Sequence, residues 1–263
     1  MKQKTIFLTG VGKGIGRGAA VELAKRGHRV IATTHTTAGA EDLKQFAAQQ
    51  NCEFEVFALD ITKPEDRKKI KNYELDVLIN VAGIGTSGPL AEVSIEKLRS
   101  IFETNVFSTL TISQIALSGM MQRKTGTVIF VSSLAGRIPI PFLSAYSMSK
   151  FALSGGVAAM RREVHRVEPN IYVSLVEPGS YNTGFNQRMQ KEKYEWISQN
   201  SVYRKLFESF KKDDARFARF EKQSIDSIVK KVVTAAEARK PKLRYSSPWY
   251  QYYGAQALRI LGI

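Results

Sequence analysis

Short apolar runs recur along this chain at 6–8, 30–32, 54–59, 77–80, 128–132 and 172–176. They carry almost no polar alternation, which is how strands covered on both faces of a parallel sheet read. Between them the apolar residues shift to helical spacing. Ile15, Ala19, Val21, Leu23 and Ala24 follow the first run, and longer helical stretches read at 95–121 and 144–166. Strands alternating with helices predict an α/β chain: a single-domain Rossmann fold over 1–263, with a doubly wound parallel sheet and helices on both faces. Right-handed crossovers put every strand's C-terminal end on one edge, where ligands of open α/β sheets bind. No internal repeat, linker or low-complexity stretch interrupts the pattern.

The turn after the first run is rich in glycine: Thr9, Gly10, Gly12, Lys13, Gly14, Ile15, Gly16. A helix opens at once, Gly27 and His28 end it, and the second run follows. Strand, glycine turn, helix, strand is the setting a glycine fingerprint needs before it means dinucleotide binding. The glycines let backbone approach a pyrophosphate, and the helix N-terminus offers free N–H groups to its charge.

A second cluster lies in VSSLAGRIPIPFLSAYSMSK. Tyr146 and Lys150 are one helical turn apart, and Ser133 stands at the end of the run before them. An ammonium at that spacing favours a phenolate and is expected to draw the tyrosine pKa down from near ~10. A serine hydroxyl can bond the same substrate oxygen, so the three make an acid/base site for a carbonyl and its alcohol. Ser132 is the competing serine; strand alternation sends the two to opposite faces.

Together these motifs resemble the short-chain dehydrogenase/reductase family over nearly the whole chain. The family's glycine loop is Thr9, Gly10, Gly14 and Gly16, and its NNAG motif appears as Asn80, Val81, Ala82, Gly83, with valine at the second position. The resemblance implies that Asn105 completes a catalytic tetrad with Ser133, Tyr146 and Lys150 and anchors a water beside the lysine. It implies that Asp60 and Ile61 meet the adenine and that Pro178, Gly179 and Thr183 pack on the nicotinamide. It also implies a substrate lid at about 184–235 and a homodimer or homotetramer. SAYSMSKFAL and VSLVEPGSYNTGF look most like the hydroxysteroid and retinol dehydrogenase branch. Ser133, Phe142 and Tyr146 are the expected substrate contacts, and the apolar residues around Phe142 suit an apolar carbonyl or alcohol.

An acid at the end of the second strand would select NAD(H). Thr33 and Thr34 stand there instead, with Lys13 inside the glycine turn and Arg17 just after it, so NADP(H) is expected and NAD(H) is the alternative. Two other functions share the fold: reduction of 3-oxoacyl groups on an acyl-carrier protein, and non-catalytic NADP(H) sensing.

Composition narrows the picture. No apolar run approaches the ~20 residues that span a bilayer, and the first strand begins too early for a signal peptide ahead of it. The single cysteine, Cys52, suits a cytoplasmic setting and reads as buried and inert. His28, His35 and His165 have no metal-ligand spacing, so no metal is expected, and all three read as solvent-side or loop residues. The net charge is +15. Residues 186–245 hold 16 Lys/Arg against 8 Asp/Glu, a surplus of 8. No nucleic-acid partner is expected from it. A tail at 247–263 reads as a helix with Trp249, Tyr252, Tyr253, Ile260 and Leu261 on one face. Packing on the lid or on a neighbouring subunit is the expectation, and peripheral membrane contact is the alternative.

Overall fold

The computed structural model describes residues 2–196 and 201–262, without the side chains of residues 195 and 196. The side chain of Trp196, expected in the lid, and Ile263 of the tail lie outside the described residues. Seven parallel strands form one sheet: β1 Thr5–Thr9, β2 Arg29–Thr34, β3 Glu55–Ala58, β4 Val77–Asn80, β5 Gly126–Val131, β6 Ile171–Pro178 and β7 Arg244–Ser247, in spatial order 3-2-1-4-5-6-7. The order reverses beside β1, so the switch point falls where the glycine turn leaves the sheet.

Alternation along each strand divides the interior into two layers. From β1, Ile6 and Leu8 face one core with α1 (Gly14–Lys25), α2 (Thr37–Gln49) and α9 (Asp226–Glu237). Phe7 faces the other, with α5 (Thr109–Arg123) and α6 (Ser144–Val167). Ile6, Phe7 and Leu8 are wholly buried. An unbroken apolar run is therefore what a strand between two helical layers requires.

Several expectations need correction. The 95–121 stretch is not one regular helix: α4 (Ile95–Phe102) passes through a wider π-turn at Glu103–Ser108 before α5 begins. β7 was not anticipated; Ser247, expected to start the tail helix, ends this strand, and the tail helix, Trp249–Ile260 and here α10, starts after Pro248. His28 is buried rather than solvent-side. Its ring accepts from the Lys4 amide at 3.2 Å and meets Glu237 at 3.2 Å, because the glycine turn folds it beneath α9. His35 and His165 are exposed. Cys52 lies just before β3, buried, with its thiol donating to the Ala47 carbonyl, and burial pushes its pKa up. No described helix is long and apolar enough to cross a membrane.

Candidate active site

The strand ends open on a cavity of about 830 Å³. Its floor is the glycine turn, and the three motif glycines are needed there for different reasons. Gly10 has φ +72°, and a Cβ on it would lie 2.5 Å from Ala82 Cα. Gly14 has φ +60°, and its Cβ would press on Thr183 at 2.9 Å. Gly16 brings α1 down onto the Gly10 carbonyl, 2.9 Å from where a Cβ would sit. A Cβ on Gly12 would meet nothing within 4 Å. The first turn of α1 has no side-chain cap and no acidic residue. Its free N–H groups suit a phosphate group, and the backbone cradle fits a dinucleotide.

Most of the residues expected to hold a cofactor line this cavity: Gly10, Gly12, Lys13, Gly14, Ile15, Gly16, Thr34, Asp60, Ile61, Ala82, Gly83, Pro178, Gly179 and Thr183. Three do not. Thr9 Oγ1 accepts from the amides of Val81 and Ala82 at 3.2 and 3.3 Å, bracing the loop after β4. Asn80 donates to Ser113 Oγ at 2.9 Å and ties β4 to α5. Thr33 is wholly buried and donates to the Leu8 carbonyl at 3.1 Å, because strand alternation turns it into the sheet. Thr34, His35 and Thr36 are the residues at the cavity here. Asp42 also lines it, an acid that sequence spacing did not bring forward; Arg17 engages it and the Gly12 carbonyl together.

Three of the four catalytic candidates, Ser133, Tyr146 and Lys150, line the cavity. Ser133, just past the end of β5, lies close enough to the Tyr146 hydroxyl to favour its phenolate, and its Oγ accepts from the Ala135 amide at 3.1 Å. Ser132 points the other way, to Ser154 Oγ at 2.8 Å. Lys150 donates to the Val131 carbonyl at 3.1 Å, its Nζ 5.7 Å from the Tyr146 ring centre. Asn105 sits in the π-turn, outside the cavity wall. It donates to the Ile84 carbonyl and accepts from the Ile84 amide, both at 2.8 Å, and donates to Ser149 Oγ at 3.0 Å. A Cβ on Gly83 would lie 3.2 Å from Asn105 Oδ1 and 3.6 Å from Lys150 Nζ. The wide turn thus aims an amide at the lysine's surroundings that a regular helix would carry elsewhere.

Electrostatics reverse one expectation. Burial pushes the Tyr146 phenol up to about 12 against a smaller lowering by Ser133. Lys150 is itself pushed down to about 8 by burial. Desolvation is the largest influence on both groups.

Other residues hold this centre and escaped sequence reading. Glu177, wholly buried at the end of β6, accepts two bonds from Arg137, one of them at 2.7 Å, together with Arg244 and Ser246. Arg137 lies over the Tyr252 ring at 5.2 Å, joining α10 to the loop that carries Ser133. Gln251 accepts from the Ser180 amide at 2.6 Å and donates to the Phe220 carbonyl at 3.0 Å. Gln251, Gly254, Ala255 and Leu258 of α10 form part of the cavity wall. No local motif marks such partners, because each pairs across tens of residues.

The open side is covered by α7 (Phe185–Trp196) and α8 (Phe207–Phe220), which supply Phe185, Met189, Phe217 and Phe220. Phe142, expected as a substrate contact, is absent from this cavity. It has φ +63° and lines a neighbouring cavity of about 280 Å³, its ring 4.5 Å from that of Phe210. Among the described residues no group of three His, Cys, Asp or Glu could hold a metal.

A family model described as short chain dehydrogenase matches residues 4–194. Human retinol dehydrogenase 8 is 32% identical over 71% of this chain, and the match spans 61% of that relative's length. Estradiol 17-beta-dehydrogenase 1 of Rattus norvegicus is 28% identical over 94% of this chain and 74% of its own length. A short chain dehydrogenase/reductase from Burkholderia phymatum in complex with NAD superposes with a TM-score of 0.81 at 17% identity, covering 97% of this chain and 92% of that one.

Proposed function

We propose, for a chain that belongs to the short-chain dehydrogenase/reductase family and is thereby an oxidoreductase of CH–OH groups using NAD(P)(H), that it interconverts a lipophilic ketone or aldehyde with its alcohol and prefers NADP(H). The observation that carries this reading is the meeting of Ser133, Tyr146 and Lys150 in one largely apolar cavity that runs on from the glycine cradle.

The bound nicotinamide supplies or accepts the hydride. In reduction, Tyr146 gives its proton to the oxygen that becomes the alcohol. In oxidation, its phenolate takes the hydroxyl proton. Ser133 orients the same oxygen. Lys150 supports the phenolate and would bond the nicotinamide ribose. Asn105, fixed to Ile84, holds the far side of the lysine's surroundings and would anchor a water there. Asp60 and Ile61 would meet the adenine; Pro178, Gly179 and Thr183 would close on the nicotinamide.

The NADP(H) preference rests on charge. Thr34, His35 and Thr36 offer no carboxylate, Lys13 stands exposed beside them, and Arg17 neutralises Asp42. Helices α7 and α8 form the lid over 184–235, and exclusion of water beneath them suits hydride transfer. Retinol and estradiol dehydrogenases among the relatives agree with an apolar substrate. Exposed Phe107, Met148 and Phe151 on neighbouring helices support a homodimer or homotetramer.

The test is NADPH and NADH oxidation against steroids, retinoids, simple ketones and acyl-carrier thioesters. Turnover of lipophilic ketones with NADPH is expected. Turnover confined to carrier thioesters would favour the acyl-carrier reductase, and cofactor binding without turnover would favour a sensor.

A further inference from the structure

The neighbouring cavity is walled by residues that also line the catalytic one: Ile140, Leu143, Asn186, Met189 and Phe217. At about 280 Å³ it is far larger than the ~30 Å³ share of one water. Its far end is polar. Lys193, with 6% of its side chain exposed, donates to Asp214 Oδ1 at 2.7 Å, and Tyr194 donates to Asp214 Oδ2 at 2.5 Å. Among the described residues Asp214 is the acceptor that engages this ammonium, which carries three donors. The Tyr194 and Phe210 rings lie 5.2 and 5.1 Å from Nζ.

Helix α7 measures the span between the two chemistries. Phe185, whose ring centre is 5.6 Å from that of Tyr146, Met189 and Lys193 are spaced i, i+4, i+8 along one face. Eight residues at 1.5 Å each make about 12 Å. Met189 is buried against Tyr146 and Ala135. Gly85 leaves room for it, since a Cβ there would lie 2.2 Å from Met189 Sδ.

The wall opposite is held under strain. Phe142 is a bulky residue in the left-handed region, at φ +63°. Its carbonyl accepts from the Gly88 amide at 2.7 Å and Ser87 Oγ at 3.0 Å. Ser87 and Phe142 both line the cavity. Such strain persists where surrounding structure insists on it, often at ligand sites.

We infer that this second cavity is a distal subsite for the far end of an elongated substrate that carries a hydroxyl about 12 Å along α7 from the Phe185–Tyr146 contact. This rests on the oxidoreductase reading above. The charges there balance: Lys193 faces Asp214, and Asp213 is met by Arg216 at 3.9 Å. A neutral terminus fits that balance better than a carboxylate or an amine. A hydroxyl can accept from Lys193 Nζ and donate to a carboxylate oxygen in one position.

The test is a series of aliphatic methyl ketones of increasing length, each ending in methyl, hydroxyl or carboxylate, followed by NADPH oxidation. In the wild-type protein kcat/KM should peak for the hydroxyl series when the terminus reaches about 12 Å, about tenfold above the methyl-ended ketone of that length. The carboxylate series should show no such peak. Lys193→Met should bring the hydroxyl-to-methyl ratio to about one. The wild-type length dependence stands without that variant should it fail to fold. Short ketones turned over with no response to length or terminus would overturn the subsite alone. No turnover of any ketone would overturn the oxidoreductase reading and the subsite with it.

Discussion

The two sides of the cavity are made differently. The glycine-turn side is backbone against backbone: Gly10 on Ala82, Gly16 on the Gly10 carbonyl, and Thr9 holding the next loop through its amides. The α7–α8–α10 side is side chain against side chain: Phe185 on Tyr146, and Gln251 holding the Ser180 amide and the Phe220 carbonyl together. The first side accepts one shape and fits a ligand that differs little from enzyme to enzyme. The second can be reshaped by substitution without disturbing the sheet, which is how one fold serves many substrates.

Tyr146 stands where the sides meet, and its loss should separate them most widely. Tyr146→Phe removes the proton and keeps the ring, so turnover should fall by about 10²–10⁴ while NADPH affinity by fluorescence titration stays within about twofold. A parallel loss of cofactor affinity would show that the two sides are not separable here.

The pH response is the next largest effect. With its pKa pushed up to about 12, Tyr146 keeps its proton through the neutral range. Reduction needs that proton, so its kcat should be flat from pH 6 to 8. Oxidation needs the phenolate, which grows about tenfold per unit, so oxidation should rise about a hundredfold over the same span. Lys150, pushed down to about 8, loses its charge above that pH, and the rise should flatten there. Stopped-flow rates in both directions check the sign; reduction accelerating with pH would contradict it.

Gly10→Ala and Gly12→Ala test the rigid side against itself. Alanine at Gly10 must hold φ +72° and meet Ala82 at 2.5 Å, for a loss of at least about 2 kcal/mol in denaturant unfolding. Alanine at Gly12 meets nothing, and its unfolding should stay within about 0.5 kcal/mol of wild type.

Thr34→Asp, at the cavity, should weaken NADPH about tenfold relative to NADH by calorimetry, through repulsion of the 2′-phosphate. Equal affinities for the two cofactors in wild type would remove the charge argument. The other side is probed by Gln251→Ala, which breaks two hydrogen bonds that seat α10 and should cost about 1 kcal/mol in all in denaturant unfolding.

What was written locally could be read locally. The parallel sheet follows from unbroken apolar runs, the cradle from glycines packed too close to their neighbours for a Cβ, and the Tyr146–Lys150 pair from one helical turn. The sequence by itself thus determined the α/β class, the nucleotide edge and the candidate catalytic group. Only the folded chain decided the rest. Strand alternation turned Thr33 inward and left Thr34 at the cavity, a difference of one residue that periodicity in a short run does not fix. Desolvation raised the tyrosine that spacing alone would have lowered. His28 became buried by pairing with Glu237, and Glu177 drew in Arg137 and Arg244. β7, α10 and the Lys193–Asp214 pair found their places through contacts between distant segments. Such contacts depend on burial and on where the chain returns, and neither is a property of neighbouring residues.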